Sequence, residues 1–259
     1  MPQQLIVEPF CRLAPDSLFT VSAGSRLRRE VQGDFISTRP LGGRYSTDAS
    51  IYQIMPIGVV VPKTPLDLRI ALDIARDAGV AVLPRGGGTS QCGQTVGEAL
   101  VIDTSKYLRN LLSVDVEAMR AEVQPGLVLD HLNAQLKSKG VWFPVDVSTA
   151  AQCTIGGMTG NNSCGSRSLH YGNMVHNVLG INAILDDGTQ AYFGRFGDGG
   201  DMQLSSRRLS EVVPRLFQIA DSVKQDIGEI WPKVMRRVGG YNLDIFIHRV
   251  SGPTPATAA

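Results

Sequence analysis

The chain has 259 residues, enough for one large domain or two small ones with a sizeable core. Its 25 Lys and Arg against 24 Asp and Glu leave a formal net charge of +1, which excludes the broad basic field of a general nucleic-acid binder. With 43% apolar and 19% charged residues it is too hydrophobic for a disordered tether, and it carries no apolar run long enough for a membrane span.

The first 45 residues read as a lead-in with neither a basic start nor a long apolar stretch, so no signal peptide is expected. Arg26, Arg28 and Arg29 read as a solvated helix face. Residues 57–61 are expected as a short buried strand ended by Pro62. Thr64-Pro65-Leu66-Asp67 then opens a helix, with Thr64 as N-cap, Pro65 at the first helical position and Asp67 answering the cap. Its apolar face is Leu68, Leu72 and Ala75, and Gly79 closes it. Residues 80–83 form the next strand, so 57–83 predict a parallel, right-handed β-α-β unit.

Beyond residues 99–103, a hairpin is expected from 111–114 and 119–123, half-buried because Met119, Ala121 and Val123 alternate with Arg120 and Glu122. A helix from Pro125-Gly126 runs through Leu129, Leu132 and Leu136 to Gly140. A second hairpin occupies 177–193, with Leu179, Ile181, Ala183 and Leu185 on one face and Asp187-Gly188 as its turn. A third helix spans roughly 210–230, with Leu216, Ile219, Val223 and Ile227 as its stripe, and residues 251–259 are expected to be disordered.

The chemistry is concentrated in two stretches. Pro84-Arg-Gly-Gly-Gly-Thr-Ser-Gln-Cys-Gly-Gln94 follows a strand directly, and three glycines with Thr89 and Ser90 present consecutive amides and two hydroxyls in a concave loop, as a pyrophosphate requires. It is not a P-loop, because Gln94 stands where the lysine must be, and it does not spell G-x-G-x-x-G. A flexible turn is the alternative reading. The second stretch runs from Trp142 through Thr154-Ile-Gly-Gly-Met158 to Asn161-Asn-Ser-Cys-Gly-Ser166 and Tyr171-Gly172. Small residues there let a flat ligand approach the backbone, and Thr154, Asn161, Asn162, Ser163 and Ser166 offer uncharged donors and acceptors. Taken singly, each element also reads as a turn or cap. Cys92, Cys153 and Cys164 are too widely spaced for a zinc or iron–sulfur pattern and read, with Cys11, as reduced packing residues, so no metal is expected.

In order and spacing these residues resemble the flavin-binding domain shared by vanillyl-alcohol oxidase, para-cresol methylhydroxylase and the FAD-linked 2-hydroxy-acid dehydrogenases. The matches are P-R-G-G-G-T-S-x-x-G-Q at 84–94, T-I-G-G-M at 154–158, N-x-x-x-G at 161–165 and Y-G at 171–172, and the likeness covers residues 40–250. The most similar subgroup is the D-lactate, glycolate and D-2-hydroxyglutarate dehydrogenases, including bacterial forms fused to an iron–sulfur domain. Tyr45-Ser-Thr-Asp-Ala49 and Gly239-Gly-Tyr-Asn-Leu-Asp244 fit it.

The resemblance implies an α+β, two-subdomain FAD-binding fold of the vanillyl-alcohol oxidase and para-cresol methylhydroxylase type. It divides into a lead-in at 1–45, a small β-α-β subdomain at 46–106, a larger mixed-sheet subdomain at 107–250, incomplete here, and a tail at 251–259. FAD is expected without a covalent link, so His170 reads as a packed or solvated residue. Its pyrophosphate would lie against Arg85, Gly86, Gly87, Gly88, Thr89 and Ser90, with Gly93 and Gln94 nearby. Thr154, Gly156, Gly157, Asn161, Ser163, Gly165 and Ser166 would line the flavin, Ile181 the adenine end, and Tyr241 and Asn242 the isoalloxazine.

The complete enzyme is expected to accept hydride from a small D-2-hydroxy acid and to pass electrons to an acceptor, with an iron–sulfur domain or partner chain as the further partner and no nucleic acid. Its expected setting is cytoplasmic, or peripheral to the inner membrane in the complete enzyme. Relatives continue after G-Y-N-L-D with an acidic-glycine segment and a substrate domain, neither of which the chain contains. Catalytic residues are therefore unassigned, and the chain alone is expected to be inactive. The rival readings are a non-catalytic flavin- or nucleotide-binding fragment and a truncated frame that does not fold stably.

Overall fold

The computed structural model describes residues 22–37, 43–194, 207–234 and 241–247; the expectations for Cys11, Gly239-Gly240 and the tail lie outside them. The chain divides into two compact units, Met1–Phe143 with Thr149–Gly157, and Pro144–Ser148 with Met158–Ala259. No helix among the described residues is long and apolar enough to cross a membrane.

The first unit opens with helix α1 (Gly24–Glu30) and strand β1 (Asp34–Ile36), followed by β2 (Gly58–Val61), helix α2 (Pro65–Asp77), β3 (Val82–Arg85) and β4 (Leu100–Asp103). These make one sheet in the order β1-β2-β4-β3, with β2 and β3 both parallel to β4 and β1 antiparallel at the edge. The expected β-α-β unit is present, but β4 inserts between its two strands, which no local periodicity can reveal. Alternation along the strands separates two apolar faces. Val60, Leu100 and Ile102 pack with Leu27, Ala71, Ile74 and Ala75 from α1 and α2, while Val59, Val61 and Val101 gather Ile36, Tyr45, Leu83 and Tyr107. The arginines of α1 pair at the surface, Arg26 with Glu30 and Asp77, and Arg29 with Glu30.

Helix α2 starts as its sequence requires. Thr64 Oγ1 accepts from the Asp67 amide at 3.2 Å, and the Asp67 carboxylate answers. Asp67 is fully buried and does more than cap, because it accepts from the backbone amides of Gln32 (2.9 Å), Lys63 (2.8 Å) and Thr64 (3.2 Å), tying the approach to β1 onto the helix start.

Strands β5 (Leu111–Asp115) and β6 (Arg120–Val123) form the expected hairpin, and helix α3 (Leu129–Lys137) buries Leu129, Leu132 and Leu136. Pro125-Gly126 do not begin that helix; Val128 stands at its N-cap. The hairpin is mostly exposed instead of half-buried. A two-stranded ribbon that pairs only with itself leaves both faces to water, and Met119 sits in its turn at φ 52°.

In the second unit, short helices α5 (Ser168–Tyr171) and α6 (Met174–Asn177) precede the antiparallel pair β7 (Ile181–Ile184) and β8 (Gln190–Phe193). Its turn is the expected one, with Thr189 N–H donating to Asp187 Oδ1 at 2.9 Å and Gly188 at φ 81°. The long helix expected over 210–230 is two helices, α7 (Arg207–Ser222) and α8 (Lys224–Ile230), because Val223 leaves helical geometry at φ −110°, ψ 13°. Ile219 of the expected stripe is exposed, while Leu209, Ala220 and Ile227 are buried. Helix α9 (Asp244–Ile247) places Phe246 edge-on against Phe217, their centroids 5.4 Å apart.

Replacing Asp67 by Ala leaves three backbone amides without their acceptor. Chemical denaturation is expected to show a loss of about 2–4 kcal/mol, against about 1 kcal/mol for Thr64→Ala, which removes only the cap. Equal losses for the two variants would contradict the bridging role.

Candidate functional site

Strand β3 ends at Arg85, and the chain leaves the sheet into the glycine-rich loop. The loop is seated on residues 152–154, brought there by a ladder to 125–130: Val128 bridges Thr154, Leu129 N–H donates to Cys153 O, and Ile155 N–H to Leu127 O. Contact is close enough to dictate glycine. A Cβ on Gly86 would overlap Thr154 Oγ1, and one on Gly87 would overlap the carbonyl oxygen of Gln152. Gly88 follows at φ 63°, a left-handed backbone that side chains rarely adopt.

The outcome is a row of donors. Among the described residues, none of the backbone N–H groups from Gly86 to Gln91 donates a hydrogen bond to the protein. Gly87 is exposed and Gly86, Gly88, Thr89 and Ser90 are half-buried, so the row is open to a ligand. Ser90 Oγ accepts from Cys92 N–H at 3.2 Å; Gln94 is exposed, and the Tyr52 ring lies close against Gly93. Thr154 is buried, its Oγ1 accepting from Gly157 N–H at 3.3 Å, and Gly156 N–H donates to Pro125 O at 2.8 Å at the start of helix α4 (Ile155–Gly160).

Arg85, at the end of the strand, has its side chain held by neighbouring backbone. Its guanidinium donates to the carbonyls of Tyr45 (3.3 Å), Thr47 (2.8 Å) and Thr95 (3.1 Å) and lies 5.3 Å from the Tyr45 ring centroid. Tyr45 in turn donates to Asp103 Oδ2 at 2.8 Å; burial, reinforced by the Asp103 charge, pushes its phenol up to about 12. Asp48 accepts from Thr95 Oγ1 at 2.9 Å and from Ser50 N–H at 2.8 Å. Burial alone would raise the Asp48 carboxyl, but these bonds outweigh it and hold it below its usual range.

Within the second unit, Asp146 holds the turn that carries Gly165 and Ser166. Its Oδ2 accepts from Ser166 Oγ at 2.8 Å and its Oδ1 from Arg167 N–H at 3.0 Å, while Gly165 N–H donates to Ser168 Oγ at 2.9 Å. Ser163 Oγ meets Asn161 Oδ1, and Asn162, at φ 50°, accepts from Val175 N–H at 3.0 Å. Ile181 is 40% exposed on β7; Tyr241 is 88% exposed, and Asn242 lies beside it in the turn before α9. Cys92 is exposed and Cys153 buried, burial pushing the Cys153 thiol up. His170 packs edge-on against Tyr171. Sequence spacing missed Asp48, Thr95 and Gln152, whose contacts with the loop cross up to 65 residues of chain, and gave Asp146 no role of its own.

The sequence pattern of the FAD binding domain family matches residues 56–194. D-2-hydroxyglutarate dehydrogenase of Pseudomonas putida is 32% identical over 224 residues, covering 85% of this chain and 22% of that protein. A glycolate oxidase subunit of Bacillus subtilis is 36% identical, covering 56% of this chain and 31% of its own length. The chain thus spans between a fifth and a third of these relatives. Among solved structures, alkyldihydroxyacetonephosphate synthase aligns at TM-score 0.60 and 18% identity over 70% of this chain and 39% of that one. Physcomitrella patens BBE-like 1 aligns at 0.58 and 20% identity over 67% and 38%.

Two outcomes test the geometry. Gly87→Val pushes a side chain into the Gln152 carbonyl and is expected to cost about 1–3 kcal/mol in denaturant unfolding, whereas Gly43→Ala, which meets nothing within 4 Å, should be neutral. For Asp146, burial alone would raise the carboxyl, but the bonds from Ser166 and Arg167 hold it lower. The folded chain therefore binds this proton less readily than the unfolded one. Its stabilisation is present above the ordinary aspartate range near about 3.9 and is lost as pH falls through the lowered value. Asp146→Asn should flatten the acid limb of a stability–pH curve; an unchanged limb would contradict the assignment.

Proposed function

The chain belongs to the FAD binding domain family, and we propose that it is the FAD-holding part of a flavin-dependent dehydrogenase or oxidase acting on a D-2-hydroxy acid. Its fold is the α+β fold of the vanillyl-alcohol oxidase and para-cresol methylhydroxylase type. The observation that carries the reading is the row of backbone N–H groups from Gly86 to Gln91, free of protein acceptors and held against Thr154. A pyrophosphate needs several convergent donors, and successive main-chain amides supply them without a lysine. The residues fit the cofactor in kind as well as position, since the loop adds the Thr89 and Ser90 hydroxyls and no carboxylate.

On this reading the pyrophosphate lies along Arg85–Ser90, with Gly93 and Gln94 at the far end of the loop. Thr154, Gly156, Gly157, Asn161, Ser163, Gly165 and Ser166 line the flavin without a covalent link, Ile181 stands at the adenine end, and Tyr241 and Asn242 approach the isoalloxazine. The chemistry FAD supplies is acceptance of a hydride from the carbon bearing the substrate hydroxyl. What this chain's residues do is bind and orient: uncharged donors fix the cofactor, and the close seat of the loop holds those donors in place. Among the described residues no group of three or more His, Cys, Asp and Glu is placed to hold a metal. The base and the cation for the substrate carboxylate are proposed to come from polypeptide outside the described residues. An electron acceptor completes the reaction, with an iron–sulfur domain or partner chain as the proposed carrier, in a cytoplasmic enzyme or one peripheral to the inner membrane.

Titration of the purified chain, followed by flavin fluorescence, tests this reading. FAD should bind at least about tenfold tighter than riboflavin, which lacks the pyrophosphate, and ADP should compete. Anaerobic addition of D-2-hydroxyglutarate, D-lactate or glycolate should leave the flavin absorbance unchanged. Riboflavin binding as tightly as FAD would overturn the site, and bleaching by any of the acids would mean that these residues already contain a substrate site.

A further inference from the structure

We propose that residues 45–49 are a strap that sets the direction of the amide row, and that Arg85 is the clasp of this strap, a positioning residue in place of a direct ligand of the phosphates. The inference rests on the reading of residues 86–91 as the pyrophosphate site. Two carbonyls carry the argument. In a trans peptide the carbonyl of one residue and the N–H of the next point in opposite directions, so anchoring the oxygen aims the hydrogen. The Gly88 carbonyl accepts from Ala49 N–H at 3.1 Å, which turns Thr89 N–H away from the strap. The Arg85 carbonyl accepts from Thr104 N–H at 3.1 Å, which turns Gly86 N–H away from the end of β4. Both anchored peptides belong to the donor row.

The strap is itself held at three places. The Arg85 guanidinium bridges Tyr45 O and Thr47 O on the strap to Thr95 O beyond the loop, so one planar fork joins both ends of the loop to the segment lying over it. The three carbonyl bonds commit its Nη1 group and one Nη2 N–H to the protein, and the Tyr45 ring lies beside it. Asp48 holds Thr95 by its side chain, and Tyr45 anchors the strap to the sheet through Asp103. A lysine keeps the charge of Arg85 but cannot span three carbonyls with one compact head. A row already aimed at its ligand loses less ordering entropy on binding, so loosening the strap weakens only ligands that use the row.

The test compares Arg85→Lys, Arg85→Gln and Asp48→Asn in the full chain, reading FAD and riboflavin affinity and the NMR order parameters of the amides from Gly86 to Gln91 without ligand. All three variants should weaken FAD about tenfold, leave riboflavin within about twofold, and lower the order parameters across the row. If Arg85→Lys keeps the affinity that Arg85→Gln loses, Arg85 is a phosphate ligand and the inference fails. It also fails if Asp48→Asn changes neither FAD affinity nor the order parameters. Should the unsubstituted chain bind no FAD, the proposed function is wrong, while the order parameters still decide whether the strap orders the loop.

Discussion

Not even one methyl group fits between Gly87 and the carbonyl of Gln152, and the arrangement of the first unit follows from that closeness. Two backbones can meet there only if neither carries a side chain at the contact, and the price is a glycine run with high chain entropy. Sheet, ladder and strap each limit one way the run could move. Strand β3 fixes its entry, the pairing of 125–130 with 150–156 fixes the surface beneath it, and Arg85 with Asp48 fixes what lies over it. The loop is therefore ordered by groups other than its own amides, which is how a stretch so rich in glycine keeps its N–H groups for a ligand.

Much of this was legible in the sequence, but only where one stretch of chain determines the answer. The capping of α2 by Thr64 and Asp67 is a four-residue device and forms as read. So does the Asp187-Gly188 turn. The glycine-rich loop is recognisable because three successive glycines followed by Thr89 and Ser90 suit a close backbone approach, with a flexible turn as the alternative. Failures came where tertiary placement decides. Alternation in 119–123 promises a buried face, yet the ribbon is mostly exposed. Apolar spacing over 210–230 gave one helix, and the break at Val223 is not encoded in that spacing. The bonds that hold the Arg85 side chain are hidden from the sequence for the same reason, because its carbonyl partners lie 40, 38 and 10 residues away.

The same division separates what family membership establishes from what is proposed. Residues 56–194 carry the pattern of an FAD binding domain, and both units fall partly within it. The hydroxy-acid substrate, the base and the electron acceptor are proposals that rest on relatives three to five times longer than the matched region. Within the second unit, Asp146 gathers Ser166 and Arg167 by hydrogen bonds, while the β7–β8 ribbon keeps Ile181, Tyr192 and Phe193 in solvent. Asp146 thus holds the 165–167 turn, while the ribbon buries little besides Ala191.

The most direct measurement of the central claim is an amide-resolved NMR titration of the whole chain with FAD, ADP and riboflavin. If main-chain amides receive the pyrophosphate, the N–H resonances of Gly86, Gly87, Gly88, Thr89 and Ser90 move with FAD and with ADP, and stay in place with riboflavin. FAD binding that leaves those five resonances unmoved would contradict the account.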